Sequence, residues 1–207
     1  MVSIGRAPNS ADLGLEELGV KLDRGYVEVG DYYESSSSQI FAIGDIVKGE
    51  MQLAHVASAQ GEIVAERVAS LLGKGKGPHE KRIDKRYIPS AVYCEPQVAS
   101  FGAKEEVLRA SNVPFTSASF PFRGVGKAVA IGASEGFVKI FSDPRTGEIL
   151  GATAVGGEAT ELIHELLVAA KAELCVEDIA NTIHAHPTLS EGVKESALAS
   201  LGRAIHN

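Results

Sequence analysis

The sequence predicts an α+β fold: an antiparallel sheet with helices packed on it, preceded by an incomplete segment of a different layout. Three observations lead there. After residue 87, apolar runs of strand length come first and helix-length periodic runs come later, the order expected when helices are segregated to one face of a sheet. Two of the strand runs flank Asp143-Pro-Arg-Thr-Gly147, whose residues suit a hairpin loop and so an antiparallel pair. Between residues 73 and 82 the string GKGKGPHEKR is glycine-rich, basic and broken by proline, which reads as a solvated linker. The expected divisions are 1–75, a linker over 76–86, and a second domain over 87–207.

In chain order, 26–29 and 39–43 read as short strands, with the polar turn 35–38 before the second. Residues 53–72 carry Leu53, Val56, Ile63, Val64, Val68 and Leu71 near the helical period, with Gln60 intruding on that stripe. The opposite face is rich in Ala and Ser, so another group can approach its backbone closely. Beyond the linker, strands are expected at 91–94, 98–101, 115–122, 128–131, 138–141 and 149–155, with a short helix at 105–110. Helices follow at 158–174, 176–183 and 188–205; in the first, Leu162, Ile163, Leu166, Leu167 and Ala170 share a face.

Composition removes several functions. A hydrophobic share of 44% can fill a core, and a net charge of −7 disfavours a surface built to grip nucleic acid. No apolar run reaches bilayer-spanning length, and the first residues, MVSIGRAPNS, do not read as a secretory signal. Cys94 and Cys175 are too far apart for a metal or redox motif, which fits two reduced thiols in a cytoplasmic protein. The linker and Gly124-Val-Gly126-Lys127 both fail the phosphate-loop pattern.

The densest chemistry lies in HAHPTLSE (184–191). Thr188 and Glu191 have capping-box spacing, so one reading is a helix start. The other is catalytic. A proline after His186 stiffens the backbone, and a carboxylate on one ring nitrogen fixes the tautomer and steadies the charged ring. Such a histidine is suited to general-base work near neutral pH. A metal reading, through His184 and His186 two residues apart, lacks further ligands nearby; a packed or hydrogen-bonded His184 and no metal are expected.

SIGRAPN (3–9), LGLEELGV (13–20), IFAIGD (40–45), QLAHVASAQG (52–61), IPSAVYCEPQVASFG (88–102), FPF (120–122) and HAHPTLSE together resemble the flavin-dependent pyridine nucleotide–disulfide oxidoreductases. Their order and spacing hold over nearly the whole chain, and the form of HAHPTLSE is most similar to the dihydrolipoamide dehydrogenase branch. The resemblance implies the C-terminal part of such an enzyme: the return segment of the FAD/NAD-binding region, then the dimerisation domain. The flavin and NAD glycine motifs and the C-x-x-x-x-C pair of full-length members are not in this sequence.

The same resemblance implies residue roles. His186 is the catalytic base, Glu191 its orienting partner, and the His186–Pro187 bond cis. Asp45 binds the ribitol chain of FAD, and the helix start at Gln52, Leu53, Ala54 and His55 lies by the flavin ring. The loop before that helix is one residue longer than in many members. Gly5 approaches NAD through its backbone. Lys127 stands where many members have Arg, so no salt bridge is carried over there.

As partners it implies a second copy, forming a homodimer in which His186 reaches the other subunit, and the lipoyl domains of 2-oxoacid dehydrogenase or glycine cleavage complexes. The activity implied is oxidation of dihydrolipoyl groups with NAD through FAD and a disulfide. Without those cysteines the isolated chain is expected to be inactive; the competing reading is a non-enzymatic dimerisation module. Residues 1–75, lacking the segment they normally pack on, are expected to be less ordered than 85–207.

Overall fold

The computed structural model describes residues 2–206, which divide into two compact units, the first ending at Asp84 and the second beginning at Lys85.

The first unit holds a small hairpin, β1 (Leu22–Asp23) and β2 (Tyr26–Val27), and one long helix, α1 (Ala54–Leu71). Its apolar cluster is modest: Val20, Val27, Ala42 and Val47, flanked by Leu15, Leu22, Val29, Ile40 and Ile46. The stretch expected as a strand over 39–43 makes only an isolated bridge, Phe41 to Glu34. Gln39 and Gly44, at its two ends, both take positive φ, which breaks an extended ladder. Gln60 is fully buried on α1 because its side-chain oxygen accepts the N–H of Gly44 at 2.6 Å. Residues 81–83, read from composition as solvated linker, are fastened instead. Arg82 pairs with the buried carboxylate of Glu50 at 2.9 Å and lies over the Tyr33 ring, while Lys81 pairs with Asp31. A buried carboxylate demands a cation.

The second unit is a five-stranded sheet in the order β3-β4-β7-β6-β5, antiparallel throughout. The strands are β3 (Ser90–Val92), β4 (Gln97–Gly102), β5 (Thr116–Pro121), β6 (Phe137–Ser142) and β7 (Ile149–Gly156). Alternation picks the inner face: Ala99, Phe101, Phe120, Val138, Ile140, Ala152 and Ala154 are buried. Two short helices interrupt the strands, α2 (Glu105–Ala110) and α3 (Gly126–Ala130). Three close the unit: α4 (Ala159–Lys171), α5 (Val176–Asn181) and α6 (Glu191–Ser200). Helix α4 covers β4 and β7, and α6 covers β5 and β6. Polar pins fix the layers: Thr160 donates to the Gln97 side chain, and buried Ser196 donates to the Val138 carbonyl at 3.0 Å.

The hairpin between β6 and β7 closes as its residues suggest, with Asp143 Oδ1 accepting the N–H groups of Arg145 and Thr146. A second expected strand also fails. Residues 128–131, AVAI, are not a strand; most of them form α3, with Ala128 in the core. A four-residue apolar run has no usable period, and alanine favours the helix.

Candidate functional site

Helix α6 begins at Glu191 with Ser190 as its N-cap, two residues later than the capping-box reading places it. Thr188 does not cap the helix with its hydroxyl, which donates to the Ala185 carbonyl at 2.7 Å. Only the return half of the box forms, the Thr188 N–H donating to Glu191 Oε2 at 3.0 Å. The other oxygen, Oε1, accepts from His186 Nδ1 at 2.9 Å. Glu191 therefore serves as helix start and imidazole partner together. The Thr188 N–H, opposed by partial burial and helped by His186, holds the Glu191 carboxyl below the usual carboxylate range.

His186 stands in the loop between α5 and α6, its side chain 75% exposed and its peptide bond to Pro187 cis. With Nδ1 donating to a carboxylate, the neutral ring presents a bare Nε2 as an acceptor. The ring lies on a cavity of about 550 Å³ whose lining includes Gly126, His184, Glu191, Glu195, Ile205 and His206. Helix α6 can pack this close beneath the turn at 122–126 because Gly192 has no side chain; a Cβ there would meet Val125 and Phe122 at 3.2–3.3 Å.

Two contacts in this cavity escaped the sequence. His184 is 6% exposed at the side chain and bonds Glu165 on α4 at 2.7 Å. Glu195, 7% exposed at the side chain, is held entirely by the C-terminal tail in the contacts seen: the N–H groups of Ile205 and His206, and His206 Nδ1 at 2.8 Å. Burial pushes the Glu195 carboxyl up, but those three donors together outweigh it and leave it below its ordinary value. The spacings, 19 and 11 residues, follow from helix packing and tail path, and no local pattern encodes them.

In the first unit, Asp45 sits in a single 3-10 turn, Gly44–Ile46, where Gly44 has φ 74°. Its carboxylate pairs with Arg6, the neighbour of Gly5. Gly5 is exposed with φ 141°, and nothing stands within 4 Å of where its Cβ would be. Gln52 donates to the Asp45 carbonyl at 3.2 Å. Leu53 is the N-cap of α1, Ala54 its first residue and His55 its second, and no side chain caps that end. Asp45, Gln52 and the α1 start thus form one cluster, with Arg6 an addition that the sequence did not flag. Among the described residues there is no group of three or more His, Cys, Asp or Glu arranged to hold a metal, and no helix long and apolar enough to cross a membrane.

Residues 88–197 match the dimerisation domain of the pyridine nucleotide-disulphide oxidoreductases, and residues 1–61 match a further pyridine nucleotide-disulphide oxidoreductase domain. The chain is 44% identical over 209 residues to a dihydrolipoyl dehydrogenase of Corynebacterium glutamicum, covering 100% of this chain and 43% of that protein. It is 41% identical over 207 residues to the Geobacillus stearothermophilus dihydrolipoyl dehydrogenase, covering 100% and 42%. Among solved structures, LpdA from Mycobacterium tuberculosis superposes with a TM-score of 0.81 at 34% identity, over 94% of this chain and 41% of that one. The flavoprotein disulfide reductase RclA from Escherichia coli superposes with a TM-score of 0.84 at 25% identity, over 94% and 43%. The chain spans less than half the length of these relatives. It belongs to the pyridine nucleotide-disulphide oxidoreductase family.

Proposed function

We propose that this chain is the C-terminal portion of a dihydrolipoyl dehydrogenase, working in the cytoplasm as one half of a homodimer. The observation that carries the reading is the His186–Glu191 bond, 2.9 Å long, which leaves Nε2 free on an exposed ring that lines a cavity. A base so held takes a proton from a dihydrolipoyl thiol, and the thiolate then attacks a disulfide, forming a mixed disulfide as the old S–S bond breaks and one cysteine leaves as a thiolate. Glu191 keeps the ring in one tautomer and steadies it once charged. The disulfide lies outside this chain, whose only cysteines, Cys94 and Cys175, are both free. Residues 87–207 are the interface domain and 1–75 the return segment of the nucleotide-binding region, joined over 76–86.

The residues of the first unit fit FAD in part. Asp45 is an acceptor suited to a polyol hydroxyl once Arg6 releases it, and the uncapped α1 start at Gln52, Leu53, Ala54 and His55 suits negative charge. Gly5, open and without a side chain, lets a nucleotide such as NAD approach the backbone. FAD supplies two-electron transfer between dithiol and NAD. The reduced substrate is a lipoyl group on the swinging domain of a 2-oxoacid dehydrogenase or glycine cleavage complex.

The test joins this chain to the amino-terminal portion of the Corynebacterium glutamicum relative. The joined protein should show flavin absorbance and reduce NAD with dihydrolipoamide, whereas the isolated chain should do neither. A joined protein that binds flavin yet leaves dihydrolipoamide untouched overturns the reading.

A further inference from the structure

The proton transfer proposed for His186 makes no use of His184, a buried polar group in the cavity wall. His184 Nδ1 lies 3.1 Å from the Thr182 carbonyl oxygen, and its Nε2 lies 2.7 Å from Glu165 Oε1. A carbonyl only accepts, so Nδ1 carries a hydrogen and donates it. A neutral imidazole has one N–H, so the second contact needs a further hydrogen shared along Nε2···Oε1. The ring is thereby tied at both ends, to its own loop and to a thirteen-residue helix whose other face is core. His186 is tied at one end only.

Among residues 183–187, Ile183, Ala185, His186 and Pro187 are all exposed, Ile183 by 92%. The His184 side chain alone in that stretch is buried. We infer that His184 is a positioning residue, clamping the α5–α6 loop to Glu165 of α4 so that the ring two residues on keeps its angle toward Glu191. This explains why the segment carries two histidines: one is an anchor, the other is free at Nε2. The inference rests on the proposed role of His186 for its purpose, though not for its geometry.

The test is ring nitrogen NMR on the ¹⁵N-histidine-labelled 207-residue chain, with signals assigned by single substitution and read at a pH where His186 is neutral. In the native chain His186 should hold the Nδ1–H tautomer set by Glu191. Glu165→Ala and His184→Ala should each let the loop reorient, reducing that tautomer's excess by roughly tenfold, the scale of one lost charge-assisted hydrogen bond. Glu165→Gln should behave as native, because its amide can donate to Nε2 while Nδ1–H still donates to Thr182.

Glu165 is about a third exposed, so its variants carry the test if His184→Ala does not fold. An undisturbed His186 tautomer in Glu165→Ala, or a Glu165→Gln chain that behaves like Glu165→Ala, overturns the inference. Because no turnover is measured, this outcome is separate from whether His186 is a base.

Discussion

Glu191 and His186 are joined by a 2.9 Å bond from Nδ1 to Oε1 while the second oxygen of the same carboxylate takes the Thr188 N–H. The first residue of α6 therefore fixes the angle of a ring five residues before it. Glu191→Ala removes both contacts at once. It should lower stability by about 1–2 kcal/mol through the lost helix-start bond, measured by urea unfolding, and slow the joined enzyme less than loss of the histidine does.

The pH dependence of that contact has a definite sign. Because the Glu191 carboxyl lies below its ordinary value in the folded chain, its contribution is complete above the unfolded carboxylate value, about 4.3, and disappears as pH falls through the lowered folded one. Thermal unfolding from about pH 6 down to pH 3 should show native and Glu191→Gln chains converging. A gap that stays constant on acidification would mean the carboxylate contributes no such term.

Glu195 offers a second acid-sensitive contact with the same sign, this time to the tail. Replacing His206 with Ala leaves a nearly buried carboxylate short of one donor. The expected cost is roughly 1–3 kcal/mol in urea unfolding, the range for a buried group robbed of a partner. Residues 203–206 should also become more sensitive to protease.

Gly136 begins the turn into β6 with φ 116°, and a Cβ there would stand 1.9 Å from the Val155 carbonyl oxygen on β7. Gly136→Ala cannot be accommodated without parting the two central strands. A loss of about 3 kcal/mol or more is expected, seen as a large fall in Tm.

The two units differ in how much they bury. The cluster of the first has Val20, Val27, Ala42 and Val47 at its centre, whereas that of the second runs through four strands, β4 to β7, and four helices, α3 to α6. Hydrogen exchange should be faster over residues 1–75 than over 85–207. Equal protection in both would contradict this.

What could be read in advance follows from period and length. Helix α4 was legible because Leu162, Ile163, Leu166, Leu167 and Ala170 recur at helical spacing, and the β6–β7 hairpin because Asp143 and Gly147 bracket a turn. Residues 128–131 were misread because four apolar residues fit either period. Residues 39–43 were misread because the positive φ of Gln39 carries no sequence signal. In the site, the His186–Glu191 spacing lies within one short segment and could be seen. His184 was expected to be packed or hydrogen-bonded, but its partner Glu165 could not be named, because only the packing of α4 against the α5–α6 loop brings them together. Arg6 reaching Asp45 belongs to the same class, two residues 39 apart joined by chain path alone.

The central claim is that the His186 ring accepts a thiol proton. The direct measurement is kcat/KM for dihydrolipoamide in the joined enzyme carrying His186→Gln, beside the native sequence at neutral pH. A loss of about 10²–10⁴-fold, with flavin still bound, is the predicted result. Turnover equal to that of the native enzyme would contradict it.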